Sequence, residues 1–287
     1  MRGSAASMTV LRPSSASEAV SLFKKHPAAL PLAGGTDLMV SWNMGLLNGK
    51  SILDLSSVAQ WRRIEPRKEG VRIGALVTHL ELQRHPVIRR ELPLLVDACA
   101  VIGAVAIQNR GTLGGNIANA SPAADTFPPL SVYGAVVRVV SATGPKEIPV
   151  SEFFAGAKKT VLGTGELIAA VDIPFSRPRP SRGYFRKVGT RAAQALSKIV
   201  AAGLIRLSRT GTVEDVRFAV GSAAPTVRRL KAAEGFLQGR RLTPAAIKEA
   251  AGLAGRDIAP IDDIRSTAAY RLGVTRNLLE DFLKEAL

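Results

Sequence analysis

The spacing of apolar residues in the first part of the chain predicts a small α/β unit. Ser15 and Glu18 have the spacing of a capping box, and apolar residues follow them at helical intervals until Pro27. A short apolar run then leads directly into Gly34 and Gly35. The expected elements are a helix at 16–26, a strand at 29–33, a helix from Thr36 or Asp37 to Met44, and a strand at 51–55.

The next stretch, to about residue 175, predicts a second α/β unit. Thr78 and Glu81 form another capping-box pattern, and Pro93 lies where a first helical turn tolerates proline. The β-branched run at 135–141 and the apolar run that ends at Pro174 are typical of strands. The expected elements are strands at 61–65, 71–75, 135–141 and 167–173 and helices at 78–85, 93–102 and 127–133.

A Pro- and Arg-rich segment at 176–183 lacks periodicity and is the best candidate linker. Strands followed by helices beyond it indicate an α+β domain. Those elements are strands at 183–188, 199–207 and 213–220 and helices at 226–237, 244–254 and 267–287. We therefore expect an α+β protein divided into subdomain 1 (1–55), subdomain 2 (56–175), a linker (176–183) and a C-terminal domain (184–287).

Two glycine-containing segments carry the candidate chemistry. Ala33-Gly34-Gly35-Thr36-Asp37 follows a predicted strand, and Gly111-Thr112-Leu113-Gly114-Gly115-Asn116 follows a predicted helix. Because glycine lets a ligand approach the main chain, each Gly-Gly pair is expected to offer bare N–H groups to an anion. The pairs together predict a clamp on the two phosphates of a dinucleotide, with Asp125 suited to a sugar hydroxyl. A G-x-G-x-x-G loop ahead of a helix and a Walker A loop are both absent from the sequence.

The remaining chemistry-bearing residues exclude several classes of protein. The single Cys99 excludes an intramolecular disulfide and any cysteine-ligated iron–sulfur cluster held by this chain alone. The three histidines are not spaced as metal ligands, and we find no carboxylate pair or catalytic triad, so no catalytic or metal-binding residue is expected. No apolar run reaches the roughly 20 residues that cross a bilayer, so we expect no membrane insertion and a cytoplasmic protein.

The formal net charge of +16 is the unusual bulk property of the chain. Such a charge suits nucleic acid, an anionic surface or an acidic protein. The basic residues are scattered, however, and no nucleic-acid-binding motif accompanies them. We therefore expect acidic partner subunits and no nucleic acid.

Several of these motifs together resemble a known family. The two glycine segments, with Ser121-Pro122 and Asp125 after the second, look like those of the FAD-binding medium subunit of molybdenum hydroxylases, the group of carbon monoxide dehydrogenase and xanthine dehydrogenase. The resemblance covers nearly the whole chain and includes Gly74-Ala75, Thr78-His79, Leu92-Pro93 and the segment from Asp263 to Arg271. It implies a two-subdomain FAD-binding domain of the vanillyl-alcohol oxidase type, followed by a C-terminal domain with a small antiparallel sheet and helices.

The resemblance also implies which residues contact FAD. The pyrophosphate is expected against the glycine segments, a sugar or ribityl hydroxyl at Asp125, a backbone contact at Ile168, and the flavin near Lys187 and Ile102. A surface lysine and a core isoleucine remain the alternative interpretations of the last two. The implied set is Ala33, Gly34, Gly35, Thr36, Asp37, Ile102, Thr112, Gly114, Gly115, Asn116, Asp125, Ile168 and Lys187.

The family's activity completes the expectation. A large subunit with the molybdenum cofactor oxidises the substrate, a small subunit carries [2Fe–2S] clusters, and the FAD of the medium subunit passes electrons to an external acceptor. The implied assembly is a dimer of heterotrimers. Two alternatives stay open: a stand-alone FAD-dependent oxidoreductase, and a basic scaffold or nucleic-acid-binding module without cofactor.

Overall fold

A computed structural model gives the fold and describes Gly3, residues 8–191 and residues 194–287. Its first layer is a three-stranded parallel sheet with the order β1-β3-β2. Ser15 caps the first helix by accepting a hydrogen bond from the Glu18 N–H, as the capping-box pattern predicts. The elements are β1 Thr9–Leu11, α1 Ala16–Lys25, β2 Leu30–Leu32, α2 Leu38–Asn43 and β3 Ser51–Asp54, followed by 3₁₀ turns at Leu55–Ser57 and Ala59–Arg62.

A five-stranded antiparallel sheet with the order β4-β5-β10-β6-β7 forms the second unit, and helices cover one face of it. Strands β8 and β9 form a separate hairpin. The elements are β4 Ile64–Pro66, β5 Gly70–Gly74, α3 His79–Arg84, α4 Pro86–Glu91, α5 Pro93–Ala100, α6 Val105–Gln108, α7 Leu113–Asn119, α8 Phe127–Tyr133, β6 Val136–Ser141, β7 Gly144–Pro149, α9 Val150–Phe153, β8 Phe154–Gly156, β9 Lys159–Thr160 and β10 Leu167–Pro174.

The last unit is an antiparallel sheet with the order β11-β12-β13-β14, packed against three helices. Phe218 of the sheet stacks on Phe282 of the last helix, with ring centroids 5.4 Å apart, at the centre of its core. The elements are β11 Arg182–Val188, β12 Ile199–Leu207, β13 Val213–Gly221, β14 Arg228–Arg229, α10 Lys231–Leu237, α11 Pro244–Leu253, a 3₁₀ turn at Ala254–Arg256, and α12 Ala268–Lys284.

Three exposed arginines surround one buried carboxylate. The Glu91 carboxylate lies within 3.0 Å of guanidinium nitrogens of Arg90, Arg177 and Arg179. Although its burial opposes ionisation, these arginines lower the pKa of Glu91 to about 2. The cluster ties the Pro- and Arg-rich segment to α4.

Several sequence predictions are wrong in detail. Trp61 lies in a 3₁₀ turn and not in a strand, because its buried ring packs under the first unit. The helix expected from residue 226 begins only at Lys231, since β14 pairs with β13 before it. Strand β11 begins at Arg182, inside the predicted linker, and β1, α4 and the β8–β9 hairpin were not predicted.

Two negative findings concern the described residues only. No helix there is both long and apolar enough to cross a bilayer. No cluster of three or more His, Cys, Asp and Glu side chains there could hold a metal ion.

Candidate cofactor-binding site

The fold brings the two glycine segments into direct contact. We call residues 33–38 the first glycine segment and residues 109–116 the second. Gly34 packs so closely on the main chain of Arg110 that an added Cβ would lie 1.8 Å from the Arg110 carbonyl oxygen. Gly111 lies beside Thr36, since a Cβ on Gly111 would be 3.4 Å from the Thr36 Oγ1. The expected juxtaposition of the two segments is therefore present.

The first glycine segment offers unpaired donors. Within the described part of the chain, the N–H groups of residues 34–37 make no hydrogen bond. Gly35 has a φ of +78°, which turns the chain into α2, and its carbonyl accepts from the Met39 N–H. Asp37 occupies the N-cap position but makes no capping hydrogen bond with its side chain. Successive main-chain donors of this kind suit a phosphate group.

The second glycine segment is different, and the expectation of bare N–H groups there is wrong. Residues from Leu113 onward form α7, so Gly114 and Gly115 lie in its first turn. The Gly114 N–H donates to the Ala75 carbonyl at 2.9 Å, and the Gly115 N–H donates to the Thr112 Oγ1 at 3.0 Å. These bonds satisfy donors that a helix N-terminus otherwise leaves free. A ligand here meets the surface of α7 and not its glycine amides.

The two glycines of that turn have separate structural roles. Gly114 is buried, and a Cβ there would be 2.5 Å from the Ala75 Cβ, so this glycine permits α7 to pack on the end of β5. Gly115 is exposed and faces the first glycine segment, where a Cβ would lie 3.9 Å from the Ala33 Cβ. Only Gly115 therefore borders the candidate site.

Helix α7 lies along the first glycine segment. Positions i and i+4 share a helix face, so Gly115 and Asn119 point to the same side. Asn119 donates from Nδ2 to the Asp37 Oδ1 at 3.1 Å. On the neighbouring position, Asn116 accepts from the Thr126 hydroxyl at 2.5 Å, which leaves its Nδ2 available to a ligand.

Asp125 and Lys187 form a buried ion pair at the other end of the site. The Lys187 Nζ is 2.7 Å from the Asp125 Oδ2 and also donates to the Val101 carbonyl at 2.9 Å. Ser197 donates its hydroxyl to the Asp125 Oδ1 at 2.6 Å. Burial raises the pKa of Asp125, while Lys187 and Ser197 act in the opposite direction. The surface interpretation of Lys187 is therefore wrong, because its side chain is only 10% exposed.

The two isoleucines occupy different environments. Ile102 is half-buried and follows Val101, whose carbonyl accepts from Lys187, so it lies at the ion-pair end of the site. Val105 and Ile107, which follow Ile102 in the sequence, and Leu196, which precedes Ser197, are exposed apolar side chains. Ile168 is buried in the core at an irregularity of β10, where the next carbonyl, of Ala169, accepts from the Ala75 N–H. Ile168 is thus placed beside the strand end on which Gly114 packs.

Three polar residues of this region are not among those predicted from the sequence: Asn119, Lys158 and Ser197. Asn119 lies three residues beyond the second glycine segment, and its i+4 spacing from Gly115 is visible in the sequence. Lys158 and Ser197 are brought in from the β8–β9 hairpin and the segment before β12. No local signal distinguishes them from surface residues.

His79 predicts an acid-sensitive step in stability. Its side chain is buried, and its main-chain N–H donates to the Gly111 carbonyl. Burial lowers the pKa of the His79 imidazole to about 4. Because the unfolded chain binds this proton below about pH 6.5, stability is lost as pH falls from 6.5 to 4. The loss reaches about 3 kcal/mol. Denaturant titrations across that range should show a shallower pH dependence for His79→Leu, whereas the exposed control His26→Gln should match the parent protein. An unchanged slope in His79→Leu would contradict this assignment.

Two family models match nearly the whole chain. The family model for the FAD binding domain in molybdopterin dehydrogenase matches residues 6–176. The model for the CO dehydrogenase flavoprotein C-terminal domain matches residues 184–286.

Individual relatives match over nearly their full lengths. The putative xanthine dehydrogenase FAD-binding subunit of Escherichia coli (strain K12) is 30% identical over 277 residues, which cover 96% of this chain and 94% of that protein. The carbon monoxide dehydrogenase medium chain of Hydrogenophaga pseudoflava is 28% identical over 280 residues, covering 96% and 95%. A solved chain of carbon monoxide dehydrogenase from the same organism superimposes with a TM-score of 0.92 at 28% identity, covering 97% of this chain and 96% of that one.

Proposed function

This chain belongs to the family of FAD-binding medium subunits of molybdenum hydroxylases, and we propose that it passes electrons from a partner's [2Fe–2S] centres through FAD to an external acceptor. One observation carries the proposal. The main-chain N–H groups of residues 34–37 make no hydrogen bond within the described part of the chain, and they lie beside the exposed surface of α7 at Gly115. The donor set fits a diphosphate, because it supplies several N–H groups from consecutive residues.

The residues of this chain bind and orient the cofactor. The first glycine segment holds the diphosphate, and Gly115 leaves the space for it on α7. Asn116 has an amide donor free for a ligand oxygen, and the Asp125–Lys187 pair fixes the main chain around Val101 and Ile102. Bound FAD supplies the redox chemistry, accepting and releasing electrons singly or in pairs, and the protein supplies its binding and its electrostatic surroundings.

The partners follow from the relatives. The matched proteins are subunits or medium chains of dehydrogenases, and we infer a large molybdenum-cofactor subunit and a small [2Fe–2S] subunit for this chain, assembled as a dimer of heterotrimers in the cytoplasm. The net charge of +16 suits acidic surfaces on such subunits. We also propose the division into residues 1–55, 56–175 and a C-terminal domain, with the predicted linker 176–183 shortened to 176–181 because β11 begins at Arg182.

Purification of the single chain, alone and with co-expressed partners, tests this function. The chain alone is expected to bind one FAD, shown by flavin absorption, and to oxidise no substrate. The assembled complex is expected to reduce this FAD when given the substrate of its large subunit. Substrate turnover by the isolated chain would contradict the subunit assignment and favour a stand-alone oxidoreductase.

A further inference from the structure

The β8–β9 hairpin places one lysine beside the first glycine segment. Lys158, in the hairpin turn, donates from Nζ to the Asn119 Oδ1 at 2.5 Å, and the same Nζ lies 3.8 Å from the Asp37 Oδ1. Asn119 in turn donates to Asp37. Three separate parts of the chain therefore meet where the first glycine segment enters α2.

The main chain holds this lysine in an uncommon conformation. Lys158 has a φ of +58°, and Ala120 has a φ of +46°. The main-chain N–H of Lys158 donates to the Ala120 carbonyl at 2.9 Å. Left-handed conformations are costly for residues other than glycine and persist where the surroundings enforce them. Here both residues lie next to the candidate site, and their hydrogen bond fixes the hairpin turn against the end of α7.

The charges of Asp37 and Lys158 bear on how this region can bind an anion. A carboxylate at residue 37 lies beside the amides proposed to bind a diphosphate, and two like charges at close range repel each other. The Lys158 ammonium and the Asn119 amide both lie on this carboxylate. The side chains of Lys158 and Asp37 remain 56% and 66% exposed, so a ligand can reach the ammonium. Lysine also binds phosphate groups as a compact point charge.

We propose that Lys158 is a diphosphate-binding cation of this subunit, positioned by Asn119 and Asp37. This inference rests on the proposed FAD site and adds to it a residue from outside both glycine segments. It predicts that the lysine contributes to the affinity for the diphosphate part of the ligand and not for the isoalloxazine part.

Equilibrium titrations of the full apo-chain with FAD and with riboflavin, which lacks phosphate, test the proposal. Lys158→Met is expected to weaken FAD binding about tenfold and to leave riboflavin binding within about twofold, which matches the loss of one charge-assisted contact. The salt dependence of FAD binding should also become shallower. Lys158→Arg, which keeps the charge, should recover most of the affinity.

The neighbouring lysine provides the matched control. Lys159 is exposed, has the same charge, and makes no ion pair within the described residues. Lys159→Met should bind FAD as the parent chain does. Unchanged FAD affinity in Lys158→Met, or equal losses for FAD and riboflavin, would overturn the inference. Failure of the parent chain to bind FAD would instead contradict the proposed function itself.

Discussion

Gly34→Ala is expected to abolish FAD retention and to destabilise the protein. On the present main chain, the new Cβ would lie 1.8 Å from the Arg110 carbonyl oxygen and 2.6 Å from its carbonyl carbon. Both are main-chain atoms, so no side-chain rotation relieves the overlap, and the two glycine segments must separate. Overpacking of this kind costs about 1–3 kcal/mol or more. The flavin-to-protein ratio after desalting and the thermal midpoint measure the two effects.

A second glycine-to-alanine change controls for this prediction. Gly252 lies in α11, and an added Cβ there meets no atom within 4 Å. Gly252→Ala should leave flavin content unchanged and stabilise the chain by about 0.5–1 kcal/mol, because alanine favours helix. Full flavin content together with a parental melting temperature in Gly34→Ala would show that the close approach of the segments is not required.

Lys187→Met is expected to produce the second large effect, a loss of about 3–5 kcal/mol in the free energy of unfolding. The substitution leaves the Asp125 carboxylate buried with Ser197 as its remaining side-chain partner. It also removes the Lys187 Nζ donor to the main-chain carbonyl of Val101, a side-chain hydrogen bond that joins β11 to the segment at Ile102. Denaturant unfolding measures the loss, and weaker flavin binding should accompany it.

The double variant Asp125→Asn/Lys187→Met separates two contributions to the free energy of unfolding: the cost of leaving one charge buried without a partner, and the stabilisation by the ion pair itself. Because the buried charge is then removed, the double variant should be more stable than Lys187→Met. The exposed Lys248 provides a control, since Lys248→Met should change stability by less than about 0.5 kcal/mol. A Lys187→Met variant as stable as that control would contradict the role of the pair.

The elements predicted best from the sequence are those with a clear local pattern of apolar residues or a capping residue. The run Ile199–Leu207 is a strand with the expected bounds, and Ser15 and Thr78 both cap helices at the expected residues. The reciprocal capping box forms only at Thr78 and Glu81, because the Glu18 carboxylate accepts from Ser14 instead of Ser15. Strand β1 was missed because three largely exposed residues carry little periodicity, and its partner β3 lies about forty residues later. Trp61 was misassigned because its burial is decided by the first unit and not by its neighbours.

The candidate site shows the same division between local and tertiary information. Sequence reasoning could find both glycine segments, because glycine pairs beside small polar residues are visible in the chain. It could not tell that the Ala75 carbonyl takes up the Gly114 N–H, since that contact depends on how α7 packs on β5. For the same reason, the Lys158–Asn119–Asp37 contacts and the Ser197–Asp125 bond are accessible only from the fold.

The FAD stoichiometry of Gly115→Val tests the central claim most directly. Gly115 is exposed and borders the proposed diphosphate site, and a Cβ there would lie 3.0 Å from the Thr112 Oγ1 and 3.9 Å from the Ala33 Cβ. Valine should therefore occupy that space at the cost of a small shift of the Thr112 hydroxyl, with the fold kept. We predict one FAD per parent chain, and a variant with parental far-UV circular dichroism that binds no FAD. A folded Gly115→Val chain that retains one FAD would contradict the account.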